Sequence, residues 1–97
     1  MAKLVLTPKA RNDLAAIDEW GYQQFGLNVA DDYSRGLKQA FDQIADFPKS
    51  DAAASEIGKN IRCLTHRKHR IFYSYTNDTV LIVRIVHHAM DAKRAMN

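Results

Sequence analysis

Cysteine occurs once, at Cys63, so no internal disulfide can form and nothing supports a disulfide-stapled secreted scaffold. A lone thiol of this kind reads as a small buried or half-buried group. Long apolar runs are also missing: no stretch approaches the roughly 20 residues that a membrane span requires. The opening Met1-Ala2-Lys3-Leu4-Val5-Leu6-Thr7-Pro8 lacks the apolar core and small-residue cleavage site of a signal peptide, which makes the cytoplasm the expected compartment. Dense Lys/Arg runs are absent too, although the net charge is +3; that balance suits an acidic protein partner as well as RNA or DNA. The four histidines, His66, His69, His87 and His88, share no spacing with a thiolate or carboxylate. Adjacent His87 and His88 are expected on opposite sides of a strand, so neither a metal site nor any other cofactor is expected.

What the chain does have is an ordinary globular composition, 46% hydrophobic and 26% charged, in 97 residues with no internal repeat, low-complexity tract or linker. That is the size of one domain, residues 1–97, with a single modest core. The richest stretch runs from Ile61 to Asp91. Ile61 to Thr65, Arg70 to Tyr75 and Val80 to His87 read as strands, the last two joined at Asn77-Asp78, a pair that tolerates positive φ and so marks a β-hairpin. With that turn, Tyr75 faces Val80, Tyr73 faces Ile82 and Ile71 faces Arg84. Strict alternation then puts Phe72, Leu81, Val83 and Ile85 on a face suited to lie under helices. His69, Ile71, Tyr73, Tyr75, Val80, Ile82, Arg84 and Val86 fall on the other face, which is expected to be open because an unpaired Arg84 is expensive to bury.

Upstream, Leu4-Val5-Leu6 reads as a short strand closed by Thr7-Pro8, a helix cap followed by a proline at the first helical position. Ala10, Leu14, Ile17 and Gly21 recur at helical spacing, with Asp13 assigned elsewhere on the helix, which should stop near Phe25-Gly26. A second helix is expected to be capped by Asn28, with Asp31 and Asp32 in its first turn. Tyr33, Leu37, Ala40, Phe41 and Ile44 form its stripe as far as Phe47, and Pro48 ends it. Lys49 to Asn60 reads as a returning loop, and Met90 to Met96 as a tail with helical character. The architecture is α+β: a strand, a helical hairpin, then a three-stranded antiparallel meander and a short C-terminal tail.

Leu-Thr-Pro-Lys-Ala-Arg-Asn-Asp-Leu at residues 6–14, Ile61-Arg62, His69-Arg70-Ile71-Phe72-Tyr73 and Arg84-Ile85-Val86-His87-His88-Ala89-Met90-Asp91 carry a resemblance over nearly the whole chain. It resembles the ParE branch of the ParE/RelE toxins of type II toxin-antitoxin operons. The resemblance implies a compact toxin neutralised by a cognate ParD-like antitoxin with an acidic, partly disordered C-terminal region. It also implies DNA gyrase as the target, reached by binding rather than by hydrolysis, with operator DNA contacted only through the antitoxin. Related RelE toxins are ribosome-dependent endoribonucleases. By that alternative Arg62, Arg84 and His87 would be the catalytic candidates, supplying cations and a terminal acid.

The residues expected at an antitoxin or target interface are Arg62, Ile71, Tyr73, Ile82, Arg84, His87, Met90 and Asp91. Arg84 has a plainer reading as one half of an internal ion pair, with Asp91 for instance. A neighbouring Arg62 would favour the functional reading, because two unpaired cations seek an anion. Trp20, Tyr22 and Phe25 read either as a protein-docking patch or as ordinary packing against the second helix or a dimer seam.

Overall fold

A computed structural model describes residues 1–96. The order is β1 (Lys3–Leu6), α1 (Pro8–Phe25), α2 (Leu27–Asp46), β2 (Ala52–Ala53), β3 (Ile61–His66), β4 (His69–Thr76), β5 (Thr79–His87) and α3 (Ala92–Ala95). The strands form one sheet ordered β1-β5-β4-β3-β2, with β1 parallel to β5 and the remaining pairs antiparallel. The expected strand, helical hairpin and meander are all present. The returning loop adds a two-residue edge strand, β2, and the tail contributes the single turn α3.

Local chemistry sets the element ends. Thr7 caps α1 by accepting from the Ala10 amide at 3.0 Å, and Pro8 fills the first turn, where its missing N–H is no loss. The two long helices are joined by Gly26 alone, whose φ of 85° lets the chain reverse in one residue. The Ala30 amide donates to the Gly26 carbonyl, so α2 begins at Leu27 and the expected Asn28 cap is displaced: Asn28 is already helical. For the same reason Asp31 and Asp32 lie beyond the first turn. Asn77 and Asp78 adopt φ of 51° and 60°, as the hairpin between β4 and β5 requires.

The face assignment is where sequence and structure part. Ile71, Tyr73, Val80 and Ile82 are completely buried, in one cluster with Leu37, Ala40, Phe41 and Ile44 of α2 and Ala10 of α1. The face expected to be open is therefore the one the helical hairpin covers. Two causes act together. The sheet face carrying Ile71, Tyr73, Val80 and Ile82 matches the apolar stripe of α2, and burying the two against each other removes the most apolar area from water. In addition, β5 holds an extra residue. Tyr73 pairs with Ile82 but Phe72 pairs with Arg84, so Val83 is a β-bulge and every side chain beyond it changes face. Ile71 thus faces Ile85 rather than Arg84, and the arginine that argued for an open face lies on the opposite one.

That opposite face has its own smaller core. Phe72 and Val86 are covered by Ala54 from the loop and by Ala92 of α3, with Ile57, Ile61, Cys63, Ala95 and Met96 around them.

Candidate functional site

Residue by residue, the structure redistributes the expected interface. Ile71, Tyr73 and Ile82 have no solvent-accessible side chain and serve the main core. Tyr73 also donates its hydroxyl to Asp51 Oδ2 at 2.7 Å, and burial with that bond pushes its ionisation upward. Arg62, opposite Tyr73, donates to the Asp51 and Lys49 carbonyls at 2.6 and 3.1 Å, so its guanidinium holds the loop after α2 against the sheet.

Arg84 is the internal ion pair, with Asp13 rather than Asp91 as partner. Its Nε and Nη2 donate to the two carboxylate oxygens of Asp13 at 2.7 and 2.9 Å, and Nη1 donates to the Ala95 carbonyl. The bidentate bond raises the Arg84 pKa. Asp13 also accepts from the Ile85 amide at 3.0 Å. Asp91 caps α3, accepting from the Lys93 and Arg94 amides.

Arg62, Arg84 and His87 therefore do not converge. Arg62 and Arg84 pair with adjacent residues of β4, Tyr73 and Phe72, and so project to opposite faces. His87 shares the helix side with Arg62 but pairs with His69, four residues along β4 from Tyr73, about 13 Å away at strand spacing.

What the fold does assemble is a cleft between α1 and the end of β5, lined by Asp13, Ala16, Ile17, Trp20, His69, Ile85, His87 and Met90. Trp20 is 58% and Met90 53% exposed, so apolar surface faces solvent at its rim. Two expected interface residues, His87 and Met90, meet here. Trp20 was expected either in a docking patch or in ordinary packing; Asp13 and His69 were not anticipated in this role, yet a signal for Asp13 existed: it lies three residues after Ala10 and four before Ile17, inside the apolar stripe of α1.

The imidazoles are arranged around this cleft. His69 Nδ1 is 2.6 Å from the Tyr33 hydroxyl, His69 and His87 meet edge to face at 5.4 Å, and His87 stacks on His88 at 4.6 Å. The last contact replaces the expected divergence of His87 and His88, because β5 ends at His87 and the chain turns there: the Ala89 amide donates to His87 Nδ1 at 3.1 Å. Burial, with the neighbouring rings of His87, His66 and His88, pulls the His69 pKa down to about 4. The ring is neutral at pH 7. Among the described residues, no group of three or more His, Cys, Asp or Glu side chains is placed to hold a metal ion.

Residues 4–92 match the family described as ParE toxin of type II toxin-antitoxin system, parDE. The chain belongs to the ParE toxin family. Toxin ParE1 of Mycobacterium tuberculosis is 33% identical over 94 residues, covering 96% of each chain. Toxin ParE1 of Caulobacter vibrioides is 28% identical over 88 residues, 91% of each. In structure this ParE-family toxin is similar to a chain of the chromosomal ParDE TA system from P. aeruginosa, with a TM-score of 0.78 at 20% identity, covering 90% of this chain and 96% of that one. It is also similar to the isolated E. coli RelE toxin, with a TM-score of 0.62 at 11% identity, covering 98% and 93%. At those identities the likeness is one of fold: the RelE/ParE fold accommodates this sequence.

Proposed function

We propose that this ParE-family toxin arrests growth by inhibiting DNA gyrase, so blocking replication, and is held inactive by a cognate ParD-like antitoxin in the cytoplasm. The observation that carries this reading is the family match over residues 4–92, reinforced by the 33% identity to a Toxin ParE1. Operator sequence is then read through the antitoxin. Among the described residues no helix is long and apolar enough to cross a membrane.

The geometry supports action by binding. Arg84 is committed to Asp13, Arg62 to backbone carbonyls, and neither approaches His87, so the three leave no converging acid, base and cation for cutting RNA. The half-exposed cleft of Trp20, Ile17, Ile85 and Met90 is instead suited to an apolar side chain of a protein partner.

The test is induced expression of the chain alone in a bacterial host, with DNA-damage signalling and translation followed in one culture, beside a supercoiling assay on purified gyrase. Filamentation and damage signalling with protein synthesis continuing is the expected result. Immediate arrest of translation without damage, or supercoiling left untouched, contradicts the proposal.

A further inference from the structure

The hairpin that joins β3 to β4 turns at Arg67 and Lys68. Arg67, Lys68 and Arg70 fall within four residues, at one end of the sheet; the neighbouring His66 and His69 add no charge to this group at pH 7, because burial lowers both of their pKa values. His66 pairs with His69 across the turn, and the His88 amide donates to the Lys68 carbonyl at 2.8 Å, bringing His87 and His88 alongside. Arg67 and Lys68 are exposed at the tip. Among the described residues the ion pairs are Arg35 with Asp32 and Arg84 with Asp13, so Arg67, Lys68 and Arg70 all lack an acid partner.

A second observation concerns Arg67 itself. Its φ is 52°, the left-handed region, which disfavours side chains other than Gly, Asn or Asp. Asn77, with φ of 51°, occupies the equivalent first loop position of the neighbouring hairpin. The arginine is thus carried at a position where its backbone is disfavoured and its charge is unused within the fold.

We propose that this hairpin tip binds the phosphate backbone of duplex DNA directly, independently of an antitoxin. Among the described residues, none of the large exposed apolar side chains lies in residues 65–70; they are Met1, Trp20, Tyr22, Phe25, Leu27, Val29, Phe47 and Met90. A peptide interface draws its energy from apolar anchors, whereas a polyphosphate is held by cations and released counterions. A two-stranded ribbon also fits the major groove of B-form DNA, about 12 Å wide, while the deep, narrow major groove of duplex RNA excludes it. The contact reads charge and shape rather than sequence. It departs from the expectation that DNA is reached only through the antitoxin, and it does not depend on gyrase as the target.

The experiment measures the purified full chain against a fluorescein-labelled duplex of about 20 base pairs by anisotropy, across a salt series, with no antitoxin or gyrase present. Two charge-matched double variants are compared. Arg67→Gly with Lys68→Gln removes the tip cations and fits the positive φ, so the hairpin persists; Lys9→Gln with Arg11→Gln removes two exposed cations of α1. The tip variant is expected to weaken binding about tenfold or more and to lower the slope of log K against log salt by about 2, one unit per lost phosphate contact. The α1 variant and a charge-keeping Arg67→Lys variant retain at least half the affinity. Equal losses in the tip and α1 variants, tighter binding to duplex RNA, or equal binding to polyglutamate each overturn the proposal.

Discussion

His69 is held neutral by its surroundings rather than by a charged partner. Tyr33 of α2 contacts Nδ1, His87 of β5 stands edge-on to the ring, and His66 lies directly opposite across the β3–β4 ladder. A proton on His69 must therefore be desolvated beside other imidazoles, which is why its pKa falls to about 4. The sign of the consequence follows from proton counting. An unfolded histidine titrates near 6.5, so between 6.5 and about 4 the unfolded chain holds the extra proton and stability falls as pH falls. Allowing for solvent access to a half-buried ring, His69 should account for a loss of about 1–2 kcal/mol over that window. Urea melts at pH 7 and pH 4 check this: His69→Gln should lose that much less stability between the two pH values than the parent chain. An unchanged difference would mean the ring titrates normally in the fold.

At the scale of elements, the junction of β1, α1 and β5 governs the architecture. β1 stops at Leu6, opposite Ile82, and from Val83 onward the outer edge of β5 has no strand beside it. The first turns of α1 complete that edge with side chains: Thr7 donates its hydroxyl to the Val83 carbonyl at 2.8 Å, and Asp13 accepts from the Ile85 amide. The bulge at Val83 occurs where strand pairing gives way to helix pairing. Asp13→Ala should therefore cost about 2–4 kcal/mol, leaving Arg84 without a carboxylate and the Ile85 amide without an acceptor in a half-buried setting. Thermal unfolding checks the loss, and a cycle with Arg84→Ala should show coupling above about 1 kcal/mol, since both changes remove one interaction.

The same junction explains what could be read in advance. The hairpin at Asn77-Asp78, the Thr7-Pro8 helix start and the stripe from Tyr33 to Ile44 are signalled by residues within one turn or one strand of each other. The bulge is decided by contacts between residues more than 70 positions apart, such as Thr7 with Val83, so strict alternation carried Arg84 and Val86 onto the wrong face. The internal partner of Arg84 was anticipated in kind, as an acid of the same chain. Its identity lay across the fold, in a carboxylate the helical pattern had set aside.

Considered as a whole, the molecule carries its exposed apolar surface unevenly. Trp20, Tyr22, Phe25, Leu27 and Val29 are all more than half exposed around the α1–α2 turn, and Trp20 reaches from there into the cleft of Ile17, Ile85 and Met90. Trp20 packs edge to face on Phe25 with centroids 5.7 Å apart, so the ring is fixed on the surface rather than folded into the main core. The docking alternative for this patch is thus favoured over packing against α2. Because Trp20 is the sole tryptophan, its fluorescence reports on this surface alone. If the antitoxin of the proposed function seats an apolar side chain in the cleft, adding it should shift the emission to shorter wavelength as water leaves the indole. Trp20→Ala should then weaken the complex by about 2 kcal/mol, the size of an aromatic hot spot, while changing toxin stability by no more than about 0.5 kcal/mol. Emission unchanged at saturating antitoxin, together with full affinity of Trp20→Ala, would move the antitoxin away from this cleft and leave the α1–α2 surface for the toxin's target.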